Sequence, residues 1–168
     1  RGLAALPGRE AEFRRAVETG IIYAKALGCR QVNCLAGIAG GPASHACLVE
    51  NLKFAAYRLA AEGIRCLTEP INPFDMPGFF LTGMEQAAEV LAEVGSPNLF
   101  LQYDLYHRQR MGGGLIEAFE RLRPLIAHIQ LADVPGRHEP GTGGIDFACV
   151  LGALDAKGYA GYVGLEYF

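Results

Sequence analysis

Leu99-Phe100-Leu101-Gln102-Tyr103-Asp104-Leu105-Tyr106-His107 is an apolar, strand-like run with a carboxylate near its end. Residues 99–105 read as the strand, apolar on both faces as in a strand covered on both sides by helices, and Asp104 stands near its C-terminal end. An ionised carboxylate in such surroundings is costly unless it is paired or coordinates a cation. The stretch therefore reads as a buried strand that delivers an acid to its C-terminal end.

The arrangement recurs on both sides of it. Residues 65–71 read as a strand carrying Glu69 just before Pro70, and residues 162–168 as a strand carrying Glu166. Residues 127–131 form another, with His128 and Gln130 on one face by period-two alternation. A shorter apolar run at 31–36 completes the set. Helical periodicity fills the intervals at 10–27, 44–62, 82–94, 115–123 and 146–156. Ser44, Thr82 and Asp146 are placed as N-caps, and Gly28, Gly63 and Gly95 as helix stops.

Strand and helix in strict alternation imply a parallel sheet covered by helices. Two architectures satisfy that pattern, an open doubly wound sheet and a closed barrel. The GxGxxG fingerprint of the open dinucleotide-binding fold is absent, and Gly112-Gly113-Gly114 lies in no strand-to-helix turn. The polar residues decide. Glu69, Asp104, Gln130 and Glu166 end four different strands, and a barrel gathers those ends around one mouth. The chain is accordingly read as α/β, a (β/α)8 TIM barrel, with residues 1–168 a partial single domain covering about five of the eight strands. N-terminal βα units and a final helix are expected outside it.

Composition narrows the partners. With 15 Lys and Arg against 18 Asp and Glu, the chain lacks the basic footprint that tracks nucleic-acid phosphates. No apolar run approaches the roughly 18 residues of a membrane span, and no leader pattern opens the chain, so a cytoplasmic setting is expected. The five cysteines are odd in number and form no CxxC pair, which reads as reduced thiols; Cys34 and Cys66 fall in strand segments and read as buried packing. A small-molecule substrate fits best, and self-association into a homo-oligomer is left open.

Three acids and an amide at strand ends need a counter-charge, and few cationic residues lie in the strands to supply it. Oxygen donors of this kind suit Mg²⁺ or Mn²⁺ better than zinc or copper. Glu69 and Glu166, across such a cation, could take a proton from the carbon α to a carbonyl and return it to the neighbouring carbon through a cis-enediolate. His107 can hydrogen-bond substrate oxygens, His128 can orient a neighbouring ligand, and Arg137 can bind a substrate carboxylate with both arms of its guanidinium.

At these residues the chain resembles the hydroxypyruvate isomerase family, among the xylose isomerase-like TIM barrels. The matching segments are AlaLeuProGlyArg at 5–9, TyrAlaLysAlaLeuGlyCys at 23–29, GluProIleAsn at 69–72, TyrAspLeuTyrHis at 103–107, HisIleGlnLeuAlaAspValProGlyArgHisGluProGly at 128–141 and GlyLeuGluTyr at 164–167. The long segment at 128–141 is the specific one. The resemblance implies interconversion of hydroxypyruvate and tartronate semialdehyde, with metal ligands Glu69, Asp104, Gln130 and Glu166. It implies Glu69 and Glu166 as the acid/base pair, and His107 and Arg137 at substrate-binding positions. Asp75 falls where related ketose 3-epimerases carry another substrate-contacting acid. Alternatives on the same scaffold are a ketose 3-epimerase or a 2-oxo-tetronate isomerase; those epimerases usually present histidine where this chain has Gln130, which favours the isomerase branch. More remote are an endonuclease IV-like DNA repair enzyme, which needs more than four histidines and a basic groove, and a piece inactive alone. Gly112-Gly113-Gly114 departs from the more polar stretch expected there.

Overall fold

Apolar side chains three and four residues apart bury one stripe of helix α1 (Glu10–Leu27), namely Phe13, Val17, Ile21 and Ala24, and Gly28 closes it in the left-handed conformation at φ 66°. The same logic builds α2 (Pro42–Ala60) and α3 (Met84–Val94), then α5 (Leu115–Leu122) and α6 (Phe147–Ala156). In this computed structural model, which describes residues 2–168, they alternate with strands β1 (Gln31–Asn33), β2 (Arg65–Thr68), β3 (Leu99–Asp104), β4 (Ile126–Leu131) and β5 (Val163–Leu165). The strand order is β1-β2-β3-β4-β5, each strand beside its predecessor in sequence. The pairs β1–β2, β2–β3 and β4–β5 are parallel, setting Val32 beside Cys66, Leu67 beside Phe100 and Gln130 beside Gly164. A parallel sheet that advances one strand at a time, with helices between successive strands, is the winding of the (β/α)8 barrel.

By internal packing the chain falls into two units, residues up to Leu101 and residues Gln102–Phe168. The first has its core between α1, α2, α3 and the strands, filled by Leu48, Leu52, Leu59, Leu67, Leu81 and Met84. Asn98 stitches it, donating from Nδ2 to the carbonyls of Ala56 at 3.1 Å and Ile64 at 2.9 Å. The second has its core around Tyr103, Phe119 and Ile129; Phe119 lies 6.5 Å from the Tyr103 ring and edge-on to Tyr159. The cysteines are free thiols, Cys34 and Cys66 buried as expected. Among the described residues, no helix is long and apolar enough to cross a membrane.

Several local readings change. Ser44 does not cap α2: Pro42 starts the helix after Gly41, and the Ser44 hydroxyl donates to the Gly40 carbonyl at 3.0 Å. Proline suits a first helical position because its missing N–H has no intrahelical partner there. Thr82 does not cap α3 either. Gly83 precedes the helix, and Gln86 reaches back from the first turn to accept from the Thr82 N–H at 3.0 Å and donate to the Phe80 carbonyl at 3.1 Å. Asp146 does cap α6, accepting from the Cys149 N–H at 2.9 Å. The strands are shorter than their apolar runs, so Glu69 and Glu166 sit one residue beyond β2 and β5 rather than inside them. A short helix, α4 (Leu105–Arg110), begins where β3 stops.

Candidate active site

In the second unit the site is built outward from the end of β3. Asp104 ends the strand and caps α4, so one side chain does both jobs: its Oδ1 accepts from the backbone N–H of Tyr106 at 2.7 Å and of His107 at 3.2 Å. The residue is 1 % exposed, and its Oδ2 is buried without a hydrogen bond. Two cationic or potentially cationic groups stand near that oxygen without bonding it, His107 Nε2 at 3.8 Å and Arg137 Nη2 at 3.9 Å. Burial is the dominant influence on its carboxyl and pushes the pKa up to about 6, against the pull of the His107 N–H and Arg137 and with the push of Glu166.

Arg137 comes from the loop after β4. Its Nη2 donates to Glu166 Oε2 at 2.9 Å, and its guanidinium lies over the rings of Tyr106 at 5.2 Å and Phe168 at 5.6 Å. The aromatic faces and the glutamate hold the flat cation in place with little of it in water. Glu166 is carried to this level by continued pairing, its N–H donating to the Leu131 carbonyl at 3.1 Å. Gln130, on β4, accepts at Oε1 from Gln102 Nε2 on β3. His128, half-buried on the same face, has an Nδ1 without a hydrogen bond, and burial pushes its pKa down. Gly164 leaves it room: a Cβ there would lie 3.1 Å from His128 Nε2.

In the first unit Glu69 follows β2, 4 % exposed, its Oε2 accepting from Asn33 Nδ2 at 2.7 Å. Asn72 organises the next loop. Its Oδ1 accepts from the backbone N–H of Phe74 at 3.1 Å and Asp75 at 2.9 Å, and its Nδ2 donates to Asp75 Oδ2 at 3.0 Å. Asp75 itself is exposed.

The second unit thus brings Asp104, His107, Arg137 and Glu166 together, and gives Gln130 an amide neighbour. Sequence reading passed over Asn33, Asn72, Gln102 and Asp133. For Asn33 and Gln102 a signal existed, since each is a polar residue in an apolar strand on the face that period two assigns to the mouth. Asn72 and Asp133 lie in loops, where spacing says nothing about burial.

Comparison with known proteins places these residues in context. The profile of the xylose isomerase-like TIM barrel family matches residues 1–168. Hydroxypyruvate isomerase of Escherichia coli K12 is 48 % identical over 99 % of the chain, and 2-oxo-tetronate isomerase of Cupriavidus necator is 42 % identical over the same share. The chain spans about two thirds of each of these relatives, 66 % of their length. Among solved structures, one described as AP endonuclease, family 2, from Brucella melitensis superposes with a TM-score of 0.96 at 40 % identity, covering 99 % of this chain and 66 % of that one.

Proposed function

Because this chain belongs to the xylose isomerase-like TIM barrel family, we propose that the whole protein is a metal-dependent isomerase of a short 2-oxo sugar acid, interconverting hydroxypyruvate and tartronate semialdehyde. Residues 1–168 are then the part of one barrel domain that carries the catalytic acids, working on a small molecule in the cytoplasm without nucleic acid. The observation that carries this reading is the meeting of Asp104, Arg137 and Glu166, on a chain nearly half identical to a hydroxypyruvate isomerase.

Glu69, Asp104, Gln130 and Glu166 are assigned to hold Mg²⁺ or Mn²⁺. The fit rests on chemistry: all four offer oxygen, Asp104 Oδ2 is a buried carboxylate oxygen that accepts no hydrogen bond, and the Gln130 carbonyl keeps a second lone pair beside its bond to Gln102. Once bound, such a cation polarises a substrate carbonyl and offsets charge that develops on the adjacent oxygens.

The chain's own groups do the rest. Arg137, backed by Tyr106 and Phe168, takes the substrate carboxylate with two parallel N–H bonds. His107 donates to a substrate oxygen, and Asp75 is assigned to substrate contact by resemblance alone. One of Glu69 and Glu166 removes a proton from C3 of hydroxypyruvate; the C–H electron pair forms the C2–C3 double bond as the carbonyl π pair moves onto the C2 oxygen, giving a cis-enediolate. The other glutamate returns a proton at C2 while the C3 hydroxyl proton passes to the C2 oxygen, leaving an aldehyde at C3.

A longer substrate is the second reading, because a 2-oxo-tetronate isomerase is 42 % identical over the chain. Both substrates offer the same carboxylate and 2-oxo group. The test is to give the full-length protein hydroxypyruvate, 2-oxo-tetronate and free ketoses with Mg²⁺ or Mn²⁺, following products by NMR, and to repeat it with chelator. Turnover of 2-oxo acids that chelation abolishes supports the proposal. Activity confined to ketoses, or unaffected by chelation, overturns it.

A further inference from the structure

Asp133 lies two residues beyond β4 and is 1 % exposed, yet among the described residues no cationic side chain pairs with it. It is held instead by the backbone of the loop that follows. Oδ1 accepts from the N–H of Val134 at 2.9 Å and of Ile145 at 3.0 Å, and Oδ2 accepts from Gly141 at 2.9 Å and Gly143 at 2.9 Å. One carboxylate thereby ties the start of the loop to its far end. The Asp133 backbone adds a further link, its N–H donating to the His138 carbonyl at 2.8 Å. Gly143 is part of the device, because a Cβ there would run into the Val134 carbonyl oxygen and lie 2.6 Å from Asp133 Oδ1.

Arg137 sits inside the segment so tied. It takes a φ of 56°, a left-handed conformation that non-glycine residues seldom adopt and that persists only where surrounding bonds over-determine it. That backbone turn coincides with an Arg137 carbonyl that accepts from the Phe168 N–H at 3.0 Å and a guanidinium set against Glu166 at 2.9 Å. Released from the Asp133 side chain, the four N–H groups lose the acceptor they share, and the loop that holds Arg137 in its left-handed turn is left with backbone links such as those from Asp133 to His138 and from Gly144 to Val134.

We propose that Asp133 is the positioning residue for Arg137: by gathering four backbone N–H groups it fixes the loop that presents the guanidinium to the substrate carboxylate. The substrate half of this statement rests on the proposed function, whereas the loop half stands on the hydrogen bonds alone. Asp133 itself touches no substrate. Its loss acts on recognition of the anionic end, and the proton transfer between carbons is left to the glutamates.

The test uses the full-length protein and two variants. Asp133→Asn keeps the shape but can accept at only one of its two terminal atoms. Gly143→Ala crowds the same anchor from an exposed position and keeps the charge. Both are expected to speed amide hydrogen exchange at Gly141 and Ile145, and to raise KM for hydroxypyruvate about tenfold or more while kcat stays within about threefold, the signature of lost ground-state and transition-state binding together. Faster exchange with an unchanged KM overturns the link to Arg137, and unchanged exchange overturns the anchoring itself. A fall in kcat at constant KM also overturns it. Should the parent protein turn over no 2-oxo acid, the proposed function falls by itself, and the ¹⁵N resonance of Arg137 Nε decides this proposal: displaced in both variants it stands, unmoved it fails.

Discussion

Asp104 and Asp133 are both 1 % exposed, the one ending β3 and the other two residues beyond β4, and their carboxyls are pushed in opposite directions. At the end of β3 burial dominates, and the Asp104 pKa is pushed up to about 6. In the loop after β4 burial pushes the same way, but the N–H groups of Ile145, Gly143, Val134 and Gly141 outweigh it and hold Asp133 below the usual carboxylate range. Asp104 has two such donors, both on Oδ1. Both are shut off from water, but Asp104 is packed among far more protein than Asp133, so the opposite shifts come from heavier burial at the first and a richer supply of backbone dipoles at the second. A carboxylate whose lone pairs are all used serves as scaffold. One left with a buried, unbonded oxygen is a site waiting for a cation or a proton.

The strongest way to break this contrast is to remove chemistry from one side of it. Glu166→Gln in the full-length protein should lower kcat on hydroxypyruvate by about a hundredfold to ten-thousandfold, the range for loss of a positioned acid/base group. Melting of the variant should stay close to the parent, because Glu166 is half exposed. A variant with full activity would remove Glu166 from the acid/base pair.

Stability should respond the other way round. Asp133→Ala strands four backbone N–H groups and should cost about 2–4 kcal/mol of unfolding free energy, allowing for water reaching some of the loop. Asp104→Asn in metal-free protein should change it by less than about 1 kcal/mol or raise it, since burial already disfavours that charge. Denaturant unfolding of both variants is the measurement. Equal losses would collapse the distinction between scaffold and site.

Titration gives a smaller but more direct reading. Carboxyl ¹³C shifts of the metal-free protein should show Asp104 titrating near pH 6 and Asp133 below an ordinary aspartate. The signs for stability differ accordingly. Asp133, lowered in the folded state, contributes stability that is present above the unfolded-state value of about 4 and is lost as pH falls through the folded one. Asp104, raised, makes the folded state gain stability as pH falls from about 6 toward 4, where only the folded form takes up the proton. The gap in stability between parent and Asp133→Asn should therefore narrow below pH 4. Coincident midpoints for the two aspartates would contradict the electrostatic picture.

The smallest effect calibrates the others. Asp146 takes a single N–H from Cys149 at an exposed helix start, so Asp146→Ala should cost about 1 kcal/mol, the usual worth of one N-cap. A loss as large as that at Asp133 would mean that bond number and burial do not set the scale.

Much of this was legible in the chain. Periodicity located the five strands and their helices because burying one stripe of a helix or both faces of a parallel strand leaves a pattern that needs no partner to be seen. Glu69, Asp104 and Glu166 stood out because a charge at the end of an apolar run is conspicuous. The ends of elements were less legible. Ser44 and Thr82 have the composition of caps, but Pro42 and the Gln86 amide occupy the places those side chains would have taken. The short helix α4 was missed because its first turn is made by the strand's own last residue, Asp104.

What the amino-acid order determined by itself is the winding of strand and helix, the parallel sense of the strands and the supply of oxygen donors at their ends. These follow from local periodicity and from the cost of burying charge. What only the tertiary structure decided is the state of each donor. Asp133 reads in sequence as one more polar loop residue, and Arg137 as a loop cation. The fold sets four N–H groups around the first and two aromatic rings and a glutamate around the second. The physical reason is that periodicity reports which face of an element is buried. The protonation and the role of a buried group depend on the dipoles and charges within a few ångströms of it, and those come from residues distant in the chain.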